Sequence, residues 1–259
     1  MSIFRPIFLI AGNTMTGILR GVVLNVLLVL AGLLIIAGTA SGTFQANEMR
    51  RMLVDSGLAI ITVLGAMIAI LTGFVMIPNE VETRTIYPVM SKPIHRSQFV
   101  LGKFLGAAGV NAITVGLLSV IFFMIYVLKK HEFDARLLVA VLMILAMLTM
   151  LSALIIFLST FMSWIGTIIV SGIVWFLGNY SQFLADMSEH SPNVLSGKLV
   201  AAIQHLLPNF QAMDMRYIIV QQELGFGETS VFLIPLLYGL LFMAIMLVLA
   251  ILIFNYREL

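Results

Sequence analysis

The sequence predicts an all-α polytopic membrane protein with six transmembrane helices, on three observations. Of its 259 residues, 61% are apolar and 10% charged, against roughly a quarter charged in soluble domains. Six stretches lack Asp, Glu, Lys and Arg: Val22–Gly42, Gly57–Ile77, Phe104–Leu128, Leu137–Phe161, Trp164–Leu184 and Val231–Phe254. Each meets the ~20 residues a helix needs to cross about 30 Å of hydrocarbon, and none alternates with the period of a barrel strand.

Ahead of the first stretch, Phe4, Phe8, Ala11, Met15, Ile18 and Val22 recur at helical spacing, with Arg5, Asn13, Thr16 and Arg20 largely on other faces. This predicts an amphipathic interfacial helix over residues 1–21, or a tilted early start of the first span. The apolar run Ile7–Ala11 is too short for a cleavable signal, and no small-residue cleavage site follows it, so the first span is expected to be retained.

Gly65, Ala69 and Gly73 form a small-residue stripe along the second span. Gly102, Gly106 and Gly109, continued by Ala112 and Gly116, do the same on the third. Such stripes let helix backbones approach closely, within one subunit or between subunits. Only Met162–Ser163 separates the fourth and fifth spans, which predicts a tight hairpin. The segment Ala185–Ser230 contains an amphipathic stretch Lys198–Leu207, the break Pro208–Asn209, a second helical run Ala212–Glu223, and Gly225 and Gly227. It predicts short outer helices before the sixth span. With no internal repeat and mostly short connections, residues 1–259 are expected to form a single domain.

Chemistry is nearly absent from the spans. They carry no ionisable group besides tyrosine, whereas proton-driven pumps need titrating groups at membrane depth. His95, His131, His190 and His205 lie outside them, which disfavours axial haem ligation. The chain has no cysteine and therefore no disulfide or thiolate metal site. Neither Gly102-Lys103 nor Gly197-Lys198 has the surroundings of a phosphate loop, so any nucleotide must bind another chain. No cofactor or metal is expected on this chain. Met143, Met147 and Met150 could pass Cu(I) along a helix face, although methionine also fills gaps between apolar helices. Asn25, Asn111, Thr114, Ser152, Thr167 and Asn179 are expected to hydrogen-bond between helices. The net charge of +2 is spread over loops and forms no nucleic-acid surface.

The polar loop at 78–103 stands apart. Asn79 and Glu82 have capping-box spacing, and Glu80 and Glu82 place negative charge at a helix start. Pro88 and Pro93 limit the element, Ser97 is expected to cap the third span, and Lys103 is expected to snorkel toward the headgroups. The result is a short helix presenting Ile86, Tyr87, Val89 and Met90, rimmed by Arg84, Lys92 and Arg96. Such a surface suits docking into a partner's groove or folding back onto its own bundle. If both ends of the chain share a side, Lys and Arg divide seven against seven, so charge does not orient the protein.

The run E-x-E-x-R-T-I-Y-x-x-x-S-K-P-I-x-R-S-x-F-x-x-G-K, Glu80 to Lys103, resembles the signature of ABC-2-type transporter permeases. Within them it is most similar to the group linked with copper-enzyme maturation, such as the nitrous-oxide-reductase accessory permease. The likeness extends to Asn13-Thr14 and Arg20, to Leu207-Pro208-Asn209, and to the ending Phe254-Asn255-Tyr256-Arg257-Glu258-Leu259.

This resemblance implies that the loop is a cytoplasmic coupling helix seated in an ABC ATPase subunit. Glu80, Glu82, Arg84, Thr85, Ile86, Tyr87, Met90, Lys92, Pro93 and Arg96 would form the coupling region. It further implies a second permease copy or paralogue, ATP and Mg²⁺ on the partner ATPase, and both termini cytoplasmic in a bacterial inner membrane. Two features depart from the family's pattern. Lys129, Lys130 and Arg136 fall on the outer side, and the long 185–230 segment offers a place for a periplasmic protein. The expected function is a non-catalytic permease subunit of an ATP-driven exporter. An ATPase-driven scaffold acting on a periplasmic partner, and a self-contained channel, are the alternatives.

Overall fold

The structure is a computed structural model that describes residues 4–40, 46–73, 95–129, 134–181, 207–216 and 230–256. It is all-helical over these residues. In chain order the helices are α1 (Phe4–Leu19), α2 (Val22–Ala40), α3 (Ala46–Thr72), α4 (Arg96–Leu128), α5 (Ala135–Ser159), α6 (Trp164–Asn179) and α7 (Ser230–Tyr256), with a 3-10 turn at Gln211–Met213 between the last two.

Four of these are long and apolar enough to cross a membrane: Arg50–Thr72, Arg96–Leu128, Ala135–Ser159 and Phe232–Tyr256. A fifth crossing arises if α1 and α2, bent by 63° at Arg20–Gly21, count as a single span. The α6 helix has 16 residues, and the rest of the expected span Trp164–Leu184 runs past the described residues after position 181. The multi-pass helical architecture is thus present, and the count among described residues is four to five.

Successive spans run in opposite directions, which sorts the helix ends into two groups. The end of α3, the start of α4, α1, the hairpin from α5 to α6 and the last turn of α7 share one end. The opposite end holds the start of α3, the end of α4, the start of α5, the end of α6, the 207–216 segment and the start of α7. Serine at position 163 caps α6 by accepting from the Gly166 N–H, so the expected hairpin is tight.

The α5 helix is central, touching α3, α4, α6 and α7. Lipid tails are as apolar as leucine, so burial alone gains little here, and close packing must hold the bundle. The glycines explain how. On α3, Gly57 lies under the Phe122 ring, and a methyl group at Gly65 or Gly73 would stand 2.6 Å from Leu148 Cδ1 or 2.8 Å from Ile155 Cγ2. The second-span stripe therefore packs α3 within the subunit. Asn111, buried in α4, donates to Leu148 O at 3.0 Å and to Ser152 Oγ at 2.9 Å on α5.

The other polar span residues behave differently from expectation. Thr167 and Asn179 donate back to their own helix, at Ser163 O and Trp175 O, while Asn25 is exposed and the buried Thr114 hydroxyl finds no partner among the described residues. A hydroxyl or amide can satisfy itself on the preceding turn, which removes the need for another helix. Met143, Met147 and Met150 are all buried in the apolar cluster around α5.

Candidate functional site

The coupling residues predicted at Glu80, Glu82, Arg84, Thr85, Ile86, Tyr87, Met90, Lys92 and Pro93, and the capping Asn79, lie outside the described residues. What is described is the frame that carries that loop: the end of α3 at Thr72 and the start of α4 at His95. The α4 N-cap is His95 rather than the expected Ser97. The reason is local, since the Gln98 side chain reaches back to accept the His95 N–H at 3.1 Å.

Arg96, the one coupling candidate within the described residues, is turned toward the end of α7. Its Nη1 donates to Phe254 O at 2.7 Å and Asn255 O at 3.1 Å, and its guanidinium carbon stands 5.8 Å from the Phe254 ring centroid. The last carbonyls of a helix have no partner within it and carry partial negative charge, so a guanidinium there is favourable on both counts. The Phe254 ring stacks on Phe99 with centroids 5.7 Å apart and planes 15° from parallel. Lys103 Nζ lies 5.6 Å from the Phe99 centroid.

Arg96, Phe99 and Lys103, at i, i+3 and i+7, therefore form one cation–ring–ring–cation ladder with Phe254. Lys103 is only 3% exposed and does not snorkel as expected. Its ring contact lets it sit within the protein face of α4. Sequence reasoning named neither Phe99 nor Lys103 as part of this junction. Their spacing from Arg96 was the available signal, but the partner ring lies 158 residues away.

The α1 helix completes the frame. It lies along α4, burying Ile7, Thr14 and Ile18 and leaving Phe8 and Leu9 exposed. A methyl group at Gly102 would meet Ile10 Cβ at 2.7 Å, one at Gly106 would meet Thr14 Cβ at 2.7 Å and Ala11 O at 2.9 Å, and one at Gly109 would meet Met15 Sδ at 3.1 Å. The third-span stripe thus seats α1. It stops there, because Ala112 is exposed and Gly116 has no neighbour in reach. The 63° bend separates α1 from α2 as an element of its own.

The opposite end is closed by polar contacts. Arg50 on α3 donates to the Tyr126 hydroxyl at 3.1 Å and pairs with Asp134 at 3.0 Å, and Asp134 also caps α5 through the Arg136 N–H. The 207–216 segment inserts between α6 and α7. Phe210 and Met213 are buried, Pro208 O and the Phe210 ring occupy the space above Gly178, and Met213 occupies the space above Gly239. Asn209 N–H donates to the Tyr238 hydroxyl, and Ser181 donates to Asn209 and Gln211 side-chain oxygens.

The helix expected over Ala212–Glu223 opens, in its described part, with the 3-10 turn Gln211–Met213 and extended Asp214, and backbone is helical again at Arg216, the last residue described there. Residues this tightly inserted follow the cleft rather than their own propensity. Hydrogen bonds from Arg216 to Asp214 hold its guanidinium above its ordinary range, against the opposing effect of burial. The amphipathic stretch expected at Lys198–Leu207 falls almost wholly outside the described residues.

Several helix ends, the end of α3, the start of α4, α1 and the last turn of α7, thus meet at one end of an apolar bundle. Residues 17–259 match the family model described as ABC-2 family transporter protein. The chain belongs to that family. A comparison with curated proteins finds no match. Membership makes the chain a membrane-spanning subunit of an ABC transporter. The family's members are typically non-catalytic, work with an ABC ATPase, and often pair as dimers. In this ABC-2 protein the family match covers α2 to α7 and the end of α1.

Proposed function

We propose that this chain is the permease subunit of an ATP-driven exporter in a bacterial inner membrane, with six spans and both termini cytoplasmic. Within the family we place it near the permeases linked with copper-enzyme maturation, on the strength of the loop motif. ATP and Mg²⁺ bind the partner ATPase, and a second permease copy or paralogue completes the transport path. The loop residues Glu80, Glu82, Arg84, Thr85, Ile86, Tyr87, Met90, Lys92 and Pro93 contact the ATPase, and Arg96 receives their motion.

The observation that supports this reading most is the Arg96 junction. A loop pushed by an ATPase needs rigid attachments to do work on the membrane helices. Here the loop leads directly into a continuous 33-residue helix, about 50 Å long. That helix carries α1 on its glycines and α7 on Arg96. Displacing its first turn therefore moves α1, α4 and α7 together, because packed elements shift as bodies rather than deform. The apolar spans suit an apolar or amphipathic cargo, or a mechanical output to a periplasmic protein held at Ala185–Ser230.

Tyr87→Asp combined with Met90→Asp is expected to reduce the ATPase recovered with the permease roughly tenfold, since a carboxylate cannot enter an apolar cleft without a large desolvation cost. Co-purification from membranes is the measurement. Undiminished ATPase recovery with unchanged ATP turnover would remove the loop from the coupling role.

A further inference from the structure

At the α1–α2 bend lies a half-enclosed pocket of about 420 Å³, walled by the start of α2, the end of α3 and the start of α6. Its walls are hydrocarbon: Ile18, Leu24, Leu27, Ile68, Leu71 and Ile168. Thr72 is its main polar residue, and that hydroxyl already donates to Ala69 O at 2.7 Å. A cavity of this lining offers nothing to water, which needs two to four polar partners to stay. A methylene is about the size of a water's ~30 Å³ share of liquid, so the space admits on the order of a dozen methylenes in a row.

Two residues fix what would stand at its mouth. Trp164, the first residue of α6, lines the pocket at the loop end, and tryptophan favours the depth of the lipid headgroups. Arg20 is exposed in the bend itself, between lining residues Ile18 and Gly21. Among the described residues, this end of the bundle carries Arg5, Arg20, Arg96 and Lys103 and no carboxylate, whereas Asp55, Asp134 and Asp214 all sit at the opposite end.

We propose that this pocket holds one acyl chain of an anionic phospholipid, drawn from the leaflet at the loop end, with Arg20 against its phosphate. The hydrocarbon lining takes the chain, the tryptophan sets the depth, and the local excess of positive charge selects the headgroup. Such a lipid wedges between α1 and the α3–α6 pair and holds the bend open. This assignment stands whether or not the loop couples to an ATPase.

The test uses the full chain in nanodiscs containing phosphatidylglycerol with a photoreactive group at the acyl terminus, and a matched phosphatidylcholine probe. Adducts are mapped by peptide mass spectrometry. Peptides bearing Leu24, Leu27, Ile68 and Ile168 are expected to label roughly fivefold above the exposed α7 surface at Leu240–Leu241. Gly17 borders the pocket, and a side chain added there meets nothing within 4 Å. Gly17→Leu therefore fills the space without clash, and should remove the excess labelling while α7 labelling stays the same. Ile168→Trp does so from the opposite wall. Arg20→Gln should lower labelling by the anionic probe to that of the neutral one. Pocket and α7 labelling at equal levels, an excess that survives both filling variants, or equal labelling by the two probes with Arg20 intact would each overturn the proposal. So would an excess that unlabelled phosphatidylglycerol fails to displace, since the occupant would then not be this lipid.

Discussion

Arg96→Ala is expected to leave the ATPase bound to the permease while lowering ATP turnover of the reconstituted complex roughly tenfold. The side chain donates two hydrogen bonds to the final carbonyls of α7 and lies over Phe254. A charge-assisted hydrogen bond contributes about 1.5–3 kcal/mol, less where solvent competes as it does at Asn255, so the junction loses about 2 kcal/mol or slightly more. That is small beside the packing of a helix bundle but decisive for a junction of two helix ends. Without it the last turn of α7 frays, and motion of the loop no longer reaches that helix. Arg96→Lys keeps the charge but loses the planar fork, and should recover part of the turnover. If Arg96→Ala instead strips the ATPase from the membrane subunit, the residue is a docking contact like its loop neighbours and the junction is incidental.

The second large effect is expected at Gly106. A side chain there would collide with Thr14 Cβ and, less forgivingly, with the Ala11 carbonyl of α1. Backbone cannot step aside as a flexible side chain can, so Gly106→Leu should cost about 3 kcal/mol and push α1 off α4. The readout is protease cleavage at Arg5 and Arg20 together with the thermal midpoint in detergent. Gly12→Leu is the control, because Gly12 lies on α1 with nothing within 4 Å. It should be neutral or stabilising by roughly 0.5–1 kcal/mol, the gain of replacing glycine within a helix. Equal behaviour of the two variants would mean that α1 is not held on the Gly102–Gly109 face.

These residues also show what the sequence could and could not reveal. Hydrocarbon lengths announced the helical bundle, since the bilayer sets them with little help from tertiary detail. The glycine stripes announced close approach but not the partner. Gly65 and Gly73 meet α5, while Gly102, Gly106 and Gly109 meet α1.

Lys103 is not legible from sequence, because a lysine near a span end can reach water or lie over a ring, and the position of Phe99 within the packed bundle decides. His95 displaced Ser97 as the cap through one side chain, Gln98. The insertion at 207–216 depends on Gly178 and Gly239, two isolated glycines with no pattern around them, and so gave no signal. At the candidate site, the loop residues are legible in the sequence from the motif and from apolar residues set among charges. The attachment of Arg96 to α7 was invisible, because it joins positions separated by most of the chain.

On the proposed function, the α3–α4 loop faces the cytosol and touches the ATPase. The chain contains no cysteine, so Tyr87→Cys gives a single thiol in an otherwise unreactive protein. In inverted and right-side-out membrane vesicles, a membrane-impermeant maleimide should label it only where the cytosolic face is exposed. A short bifunctional crosslinker should join it to the ATPase. Labelling from the opposite face, or full cytosolic labelling with no crosslink to the ATPase, would contradict the account.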